Sequence, residues 1–349
     1  MKLVRTPGRA QEPESPAELP PASLLESVRD LPGRFPAAGL RRVTLVRASE
    51  LDGASGPRPR RVWLALECLQ VTGSFKVRGA LVAMADALES QGSRSFVAAS
   101  AGNHGAGVAH AARVLGLSVT VVVPPSAPLA KRARMEACGA TVRLSSSPHY
   151  DVAEREALQL ASELGVPFLS PYDDLRVLSG NGASLAFEIA RALGRTPEAV
   201  LAPLGGSGLV TGLASGFAHL EGEAPGARPR VWGAQSEASP AFALSLERGS
   251  AVTELLTGET LAEGLEGGIS EAAFARARAV VEGVFVAPEA QILEAMIWLY
   301  RALGLIVEGS AAVALAPVLP GIPDEIPEGD LVVVLTGRNV DPHRLRVLW

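Results

Sequence analysis

The strongest constraint on the fold is a regular alternation of strand-like and helix-like segments that begins near residue 95. Apolar runs rich in β-branched residues occur at 95–100, 119–123 and 140–144, and helical patterns follow them at 103–115, 129–138 and 151–164. Glycine or proline separates many of these segments. This alternation predicts an α/β fold in which helices cover both faces of a parallel sheet.

A second series of segments starts near residue 172 and has a different rhythm. It comprises predicted helices at 183–193, 209–220, 271–281 and 289–303 and predicted strands at 199–203, 230–234 and 330–335. We therefore predict a small α/β domain at 94–170 and a large one formed by 23–93 and 171–349, with the ligand between them. Residues 1–22 contain no long apolar run and are predicted to be a disordered segment.

Composition excludes several classes of protein. The net charge is −5 and neither sign forms long runs, which argues against nucleic acid and anionic membranes as partners. Cys68 and Cys138 are the only cysteines, too few for a disulfide framework, so we expect a reducing, cytoplasmic location. No apolar run approaches the roughly 18 residues of a membrane helix, so we expect a soluble protein.

Lys76 lies at the start of a predicted helix whose other face is apolar, with Ala80, Leu81 and Met84. Apolar surroundings and a helix N-terminus both lower the pKa of an ammonium group and favour the free amine that forms Schiff bases. An isolated lysine in such a segment is more often a plain surface residue. The neighbouring motifs therefore decide the interpretation.

Residues 100–107 read Ser-Ala-Gly-Asn-His-Gly-Ala-Gly and join a predicted strand to a helix. Amides at a helix start bind anions, and glycines let a carboxylate approach the backbone closely. The segment predicts a site for an amino-acid carboxylate, although an ordinary turn capped by Asn103 has the same pattern. His104 is either a general base or a donor of its backbone amide alone, and we favour the amide.

Residues 203–209 read Pro-Leu-Gly-Gly-Ser-Gly-Leu and also join a predicted strand to a helix. Consecutive small residues present several amides to one phosphate, and the helix dipole adds to the attraction. The loop lacks the Gly-Lys-Ser/Thr ending of an ATP-binding loop, and its spacing partly imitates a dinucleotide fingerprint. It therefore predicts a phosphate without saying which one.

Thr336 directly follows the last predicted strand. A hydroxyl at a strand end can donate a hydrogen bond to an aromatic ring nitrogen and leave that ring unprotonated, whereas a carboxylate would hold it protonated. A capped turn is the simpler interpretation of this segment alone.

In this order and at these separations, the four segments resemble the fold-type II pyridoxal-phosphate family, and in particular its serine/threonine dehydratase (threonine ammonia-lyase) branch. The resemblance spans about residues 24–341 and includes stretches at 171–174, 180–182, 260–264 and 308–312. It implies the tryptophan-synthase-β-like architecture, with two open α/β domains, mostly parallel sheets and an active site in the interdomain cleft. It also implies a homodimer.

The resemblance implies a role for each segment. Lys76 would be the catalytic residue and would hold pyridoxal 5'-phosphate as a Schiff base. The cofactor would also be bound by Phe75 beside the ring, Asn103 at the ring hydroxyl, Thr336 at the pyridine nitrogen, and Gly205, Gly206, Ser207, Gly208 and Leu209 at the phosphate. The substrate carboxylate would be bound by Ser100, Ala101, Gly102, Asn103 and His104.

The chemistry that the resemblance implies is dehydration and deamination of a hydroxy amino acid, such as L-threonine or L-serine, to a 2-oxo acid and ammonia. The amine of Lys76 would remove the α-proton before the β-hydroxyl leaves. Thr336 suits this reaction, because an unprotonated pyridine is a weaker electron sink and favours prompt loss of the β-substituent.

Several positions depart from the family pattern. Ala101 stands where racemases of the family commonly have a serine that acts as the second base, which argues against racemisation. Gln235 stands where metal-binding relatives have a glutamate, so we expect no required divalent metal. Ser207, Asn181 and Arg338 replace a glycine, a glutamine and a glycine, and Arg338 is either a reader of a second acidic group or a solvated residue.

Three alternatives remain open at this point. Within the family, the chain could eliminate or replace another β-substituent, as in 3-hydroxyaspartate or an activated serine. A nicotinamide-dependent dehydrogenase would explain the glycine loop but neither Lys76 nor the Asn103 segment. A non-catalytic metabolite-binding relative could share the fold, since function depends on the site.

Overall fold

The structure is a computed structural model that describes residues 1–7, 17–53, 59–223, 228–256 and 258–341. In these ranges the strands are β1 (Lys2–Arg5), β2 (Leu45–Arg47), β3 (Arg61–Ala65), β4 (Ser95–Ala99), β5 (Ser118–Val123), β6 (Thr141–Leu144), β7 (Ala199–Pro203), β8 (Arg230–Ser236), β9 (Gly283–Ala287) and β10 (Asp330–Val334).

The α-helices of the same ranges are α1 (Ala22–Ser27), α2 (Leu31–Arg34), α3 (Lys76–Gln91), α4 (Asn103–Leu115), α5 (Leu129–Ala137), α6 (Tyr150–Leu164), α7 (Leu175–Leu178), α8 (Ser184–Leu193), α9 (Gly208–Glu223), α10 (Ala241–Arg248), α11 (Glu271–Val280), α12 (Glu289–Leu303) and α13 (Gly309–Ala312). A π-helical turn at Ser179–Ala183 precedes α8, and 3-10 helices lie at Pro36–Ala38, Ser49–Leu51, Glu67–Leu69 and Glu263–Leu265. None of the described helices is long and apolar enough to cross a membrane.

The larger sheet has seven strands in the order β1-β9-β8-β7-β10-β3-β2. Its five inner strands are parallel, and the edge strands β1 and β2 run antiparallel to their neighbours. Strands β7, β9 and β10 are buried along their whole length, as expected for parallel strands between two helical layers. The prediction of an α/β fold with mostly parallel sheets is confirmed.

The smaller sheet is built by residues 95–144 alone and has the order β4-β5-β6, with all strands parallel. Helices α4 and α6 pack on it through small and branched side chains such as Val108, Ala112, Ala153 and Ala157. The carboxyl end of β4 leads directly into the predicted carboxylate-binding segment. The division of the chain into domains at 94 and 170 stays a proposal.

The prediction that residues 1–22 are disordered is wrong for Lys2–Arg5. These residues form β1, in which Leu3 pairs with Phe285 and Val4 pairs with Val284 of β9. The physical reason is that β9 would otherwise present an unpaired edge, which β1 covers while its two apolar side chains pack against the core. Residues 8–16 lie outside the described residues.

Candidate active site

The segment before α3 runs beside the segment after β10, and this pairing positions Lys76. The Phe75 amide donates to the Thr336 carbonyl oxygen at 3.1 Å, and the Arg338 amide donates to the Gly73 carbonyl oxygen at 2.9 Å. Lys76 is the first residue of α3. Backbone hydrogen bonds thus hold residues more than 260 positions apart side by side.

A buried ion network anchors the first turn of α3. Arg78 donates to both oxygens of Glu67, at 2.8 and 2.9 Å, and to both oxygens of Glu188, at 2.8 and 2.9 Å. All three side chains are almost completely buried. Removing one member of such a buried network is strongly destabilising, because it leaves a desolvated charge without its partner. The network therefore holds the start of α3 in place.

Helix α4 packs directly on the backbone of Lys76. A Cβ atom added to Gly107 would lie 2.9 Å from the carbonyl carbon of Lys76 and 3.0 Å from its oxygen. Only glycine allows this approach, and the approach brings Asn103 and His104, one turn earlier in α4, to the same place as Lys76.

The start of α4 is shaped as an anion site. The hydroxyl of Ser100 accepts hydrogen bonds from the amides of Gly102, at 3.0 Å, and Gly105, at 2.8 Å, and so closes the turn. The amides of Asn103 and His104 belong to the first helical turn, where the helix offers them no acceptor. They are available to a carboxylate, and the helix dipole favours its charge.

His104 is a buried, neutral imidazole. Its Nε2 lies 3.0 Å from the carbonyl oxygen of Leu169, which can only accept, so Nε2 carries the proton. Burial lowers the pKa of His104 to about 3, and the nearby charge of Lys76 acts in the same direction. A side chain with this pKa stays uncharged at neutral pH, so it would be a poor general base.

The amine of Lys76 faces the space between the two sheets. Its Nζ donates to the carbonyl oxygen of Pro171 at 3.3 Å and lies 5.1 Å from the centre of the Phe75 ring. Burial lowers the pKa of Lys76 from 10.5 to about 8, and the charge of Glu308 opposes this shift. With this pKa roughly a tenth of the amine is free at pH 7, far more than for an ordinary lysine.

Glu308 is a site residue to which the sequence analysis gave no role. Asn103 donates from Nδ2 to Glu308 Oε1 at 2.7 Å, and its Oδ1 accepts from Asn339 Nδ2 at 2.7 Å, so the Asn103 amide has one orientation. Burial raises the pKa of Glu308, whereas the hydrogen bond from Asn103 lowers it. The available sequence signal was a lone carboxylate directly before the small residues of α13.

The glycine loop connects β7 to α9. A Cβ atom on Gly206 would lie 2.6 Å from Cγ of Tyr172, so the ring packs directly on the loop backbone. Ser207 has a φ of 65°, and it is the one non-glycine residue with positive φ in the described part of the chain. Its hydroxyl donates to the Ala273 carbonyl oxygen at 2.9 Å, away from the loop, so the serine need not obstruct the backbone site for an anion.

A cavity of about 750 Å³ lies between the two sheets. This volume suits a cofactor with a bound amino acid. Every residue predicted for the cofactor or the substrate lines the cavity: Phe75, Lys76, Ser100, Ala101, Gly102, Asn103, His104, Gly205, Gly206, Ser207, Gly208, Leu209 and Thr336. A lysine amine, an oriented amide and a tight glycine turn in one cavity fit pyridoxal phosphate.

The position that carries a metal-binding glutamate in some relatives holds an uncharged amide in this chain. Gln235 is completely buried, and its amide oxygen accepts a hydrogen bond from the Ala243 amide at 3.0 Å. Its other polar atom is an amide nitrogen, which is not a metal ligand. No group of three or more His, Cys, Asp or Glu side chains suited to a metal ion occurs within the described ranges. The expectation of no required divalent metal stays a prediction.

Comparison with known proteins agrees with this site. The model of the family described as pyridoxal-phosphate dependent enzyme matches residues 37–337. An L-threonine ammonia-lyase of Thermotoga maritima is 33% identical over 87% of this chain and 73% of its own length. A catabolic L-threonine dehydratase of Staphylococcus aureus is 31% identical over 88% and 86% of the two chains.

Solved structures give the same result for the fold. The processed form of threonine deaminase isoform 2 from Solanum lycopersicum superposes with a TM-score of 0.82 at 26% identity, over 99% of this chain and 96% of that one. The predicted fold-type II architecture and the predicted cofactor, pyridoxal phosphate, are therefore confirmed. The family match extends over most of the chain and includes all four motifs of the cavity, and the chain belongs to the pyridoxal-phosphate-dependent enzyme family.

Proposed function

We propose that the chain is an ammonia-lyase that eliminates water from a hydroxy amino acid, L-threonine or L-serine, and releases a 2-oxo acid and ammonia. The observation that carries the proposal is the amine of Lys76, with a pKa lowered to about 8, in one cavity with a helix-start anion site and a glycine turn. The names of the threonine ammonia-lyases and dehydratases that the chain resembles support the same reaction.

Lys76 has two roles in this proposal. Its amine would hold the cofactor, and Nζ would also be the base that accepts the substrate α-proton. Bound pyridoxal phosphate supplies the electron sink that makes this proton acidic enough to remove. The lowered pKa keeps Nζ uncharged often enough to accept the proton.

The other residues bind and orient. The amides of Asn103 and His104, with the Ser100–Gly102 turn, would hold the substrate carboxylate, and the loop Gly205–Leu209 would hold the cofactor phosphate. Asn103, oriented by Glu308, would bind the ring hydroxyl. Thr336 would donate to the ring nitrogen as a neutral hydroxyl, and Phe75 would pack beside the ring.

The charges of the cavity favour substrates with one carboxylate. Seven acidic side chains line it in the described part of the chain, against three basic ones, Lys76, Lys131 and Arg155. The Arg338 side chain is exposed and lies outside this lining, so it does not support recognition of a second acidic group. A neutral β-hydroxyl therefore fits better than the second carboxylate of 3-hydroxyaspartate.

Racemisation lacks the second base at the position where racemases of the family commonly have a serine. Ala101, which occupies the position of the racemase serine, has no group that can move a proton. A homodimer and a cytoplasmic location belong to the proposal through the family resemblance. Light scattering on a sizing column would test the dimer.

The test is 2-oxo acid release from L-threonine and L-serine by the wild type and by Lys76→Ala. The chain has only three lysines, so Lys2→Ala is a matched control on the surface. We expect a yellow protein, a cofactor fixed to Lys76 after borohydride reduction, and product release that Lys76→Ala loses and Lys2→Ala keeps. A yellow wild type that releases neither 2-oxo acid would overturn the assignment of L-threonine or L-serine as substrate. Product release that survives Lys76→Ala would overturn the role of Lys76.

A further inference from the structure

An ion pair crosses the cleft beside the helix-start anion site. Lys131 of α5 lies on the side of the small sheet, and Glu263 begins a 3-10 helix on the side of the large sheet. Lys131 Nζ and Glu263 Oε1 are 2.6 Å apart, and the two side chains are 16% and 26% exposed. Both line the cavity, so the pair is protected from solvent and lies within reach of a ligand.

Lys131 also lies against the predicted carboxylate-binding turn. The three heavy atoms nearest to a Cβ built on Gly102 all belong to Lys131, and Nζ is 3.6 Å from that position. Its ammonium group is therefore next to the turn from which the Asn103 and His104 amides emerge. Burial raises the pKa of Glu308. The positive charge of Lys131 lowers this pKa and the negative charge of Glu263 raises it, so both charges act on a group at the centre of the site.

The composition of the chain makes Lys131 conspicuous. Only three of the 32 basic residues are lysines, and two of the three, Lys76 and Lys131, line this cavity. The α-carboxylate of a substrate that enters a cavity with seven acidic side chains needs a cation at its binding point. Lys76 is committed to the cofactor, and the Lys131 ammonium lies at the anion-binding turn.

We propose that Lys131 binds the substrate α-carboxylate together with the amides at the start of α4, and that Glu263 is a built-in competitor that holds the ammonium group while no substrate is bound. The inference rests on the proposed function and adds a specificity-determining residue to it. Substrate binding exchanges one carboxylate for another at the same ammonium group. A charge-assisted hydrogen bond then discriminates a free carboxylate from a neutral group in its place.

The test compares two ligands on the holoenzyme, L-alanine and L-alaninamide. They differ only at the carboxyl group, and neither has a β-leaving group, so their dissociation constants can be read at equilibrium from the cofactor's visible absorbance. Because no elimination is involved, the result does not depend on whether L-threonine or L-serine is the substrate. The variants are Lys131→Gln, Lys131→Arg and Glu263→Gln.

We expect Lys131→Gln to raise the dissociation constant of L-alanine by about tenfold or more, as for the loss of a hydrogen bond to a charged group. The dissociation constant of L-alaninamide should change by less than about twofold. Lys131→Arg should retain much of the preference for L-alanine over L-alaninamide. Glu263→Gln should tighten the binding of L-alanine, and this increase in affinity should disappear when Lys131→Gln is also present.

Three results would overturn the proposal. The first is a wild type that binds both ligands equally. The second is a Lys131→Gln variant that binds both ligands more weakly to the same extent, since this indicates a structural role for the ion pair. The third is a Glu263→Gln variant that binds L-alanine more weakly than the wild type does. If Lys131→Gln does not fold, Lys131→Arg and Glu263→Gln still decide the question, because retained preference in the first and tighter binding in the second are both required.

Discussion

At the scale of single residues, the chemistry depends on the charge state of the Lys76 amine. Two opposing influences set its pKa near 8: burial lowers it and the charge of Glu308 raises it. Below pH 8 the ammonium form prevails, and reactivity of Nζ falls as the free amine is lost. Glu308→Gln removes the charge that favours the ammonium form, so we predict that the pH midpoint of Lys76 reactivity shifts downward.

The measurement is the rate at which Lys76 of the cofactor-free protein reacts with a neutral aryl fluoride, followed by peptide mapping across pH 6–10. Glu254→Gln is the matched control, because Glu254 lines the same cavity but is not among the groups that shift the pKa of Lys76. A midpoint that rises in Glu308→Gln, or that moves equally in both variants, would contradict the prediction.

At the scale of elements, close contact between helices positions the reacting groups. Gly107→Ala would drive a methyl group into the backbone of Lys76, which cannot move away while Arg78 anchors α3. We predict a loss of about 1–3 kcal/mol in the free energy of unfolding, typical of overpacking, together with weaker cofactor binding as Asn103 shifts.

Gly222→Ala is the matched control, because Gly222 also lies in a helix and nothing lies within 4 Å of the added Cβ. It should stabilise the protein by up to about 1 kcal/mol through helix propensity alone. Thermal unfolding of the cofactor-free variants measures both effects. Equal melting temperatures for Gly107→Ala and Gly222→Ala would show that the α3–α4 contact is not tight.

The elements also show how far sequence patterns reach. The predictions for α12 and β7 have the same bounds as the structure, because helical periodicity and a fully apolar run are local properties. The hydrogen bond between Asn103 and Glu308 joins residues 205 positions apart, and no local pattern contains it. The same is true of the Lys131–Glu263 pair, since cross-cleft contacts arise only when the two sheets are packed together.

At the scale of the whole molecule, the active site and the stability of the larger sheet are separable. The site lies at the ends of β7 and β10 in the middle of that sheet, whereas β1 covers the far edge, next to β9. The prediction of disorder failed there because β1 has only four residues and pairs with a strand about 280 positions away. Such short edge strands are invisible to periodicity but close an otherwise open ladder.

We therefore predict that deleting residues 2–7 lowers the melting temperature and promotes association, while the visible absorbance of the bound cofactor stays unchanged. Burial of Leu3 and Val4 is lost, which costs about 1–3 kcal/mol, and β9 gains a free edge.

Lys2→Ala is the control, because it breaks only the exposed ion pair with Glu247 and should change the free energy of unfolding by less than about 1 kcal/mol. Thermal melting measures the loss of stability in each variant, and light scattering measures association. A truncated protein that melts with the wild type and remains unassociated would mean that β9 needs no cover, whereas one that also loses the cofactor absorbance would mean that the sheet edge and the site are coupled.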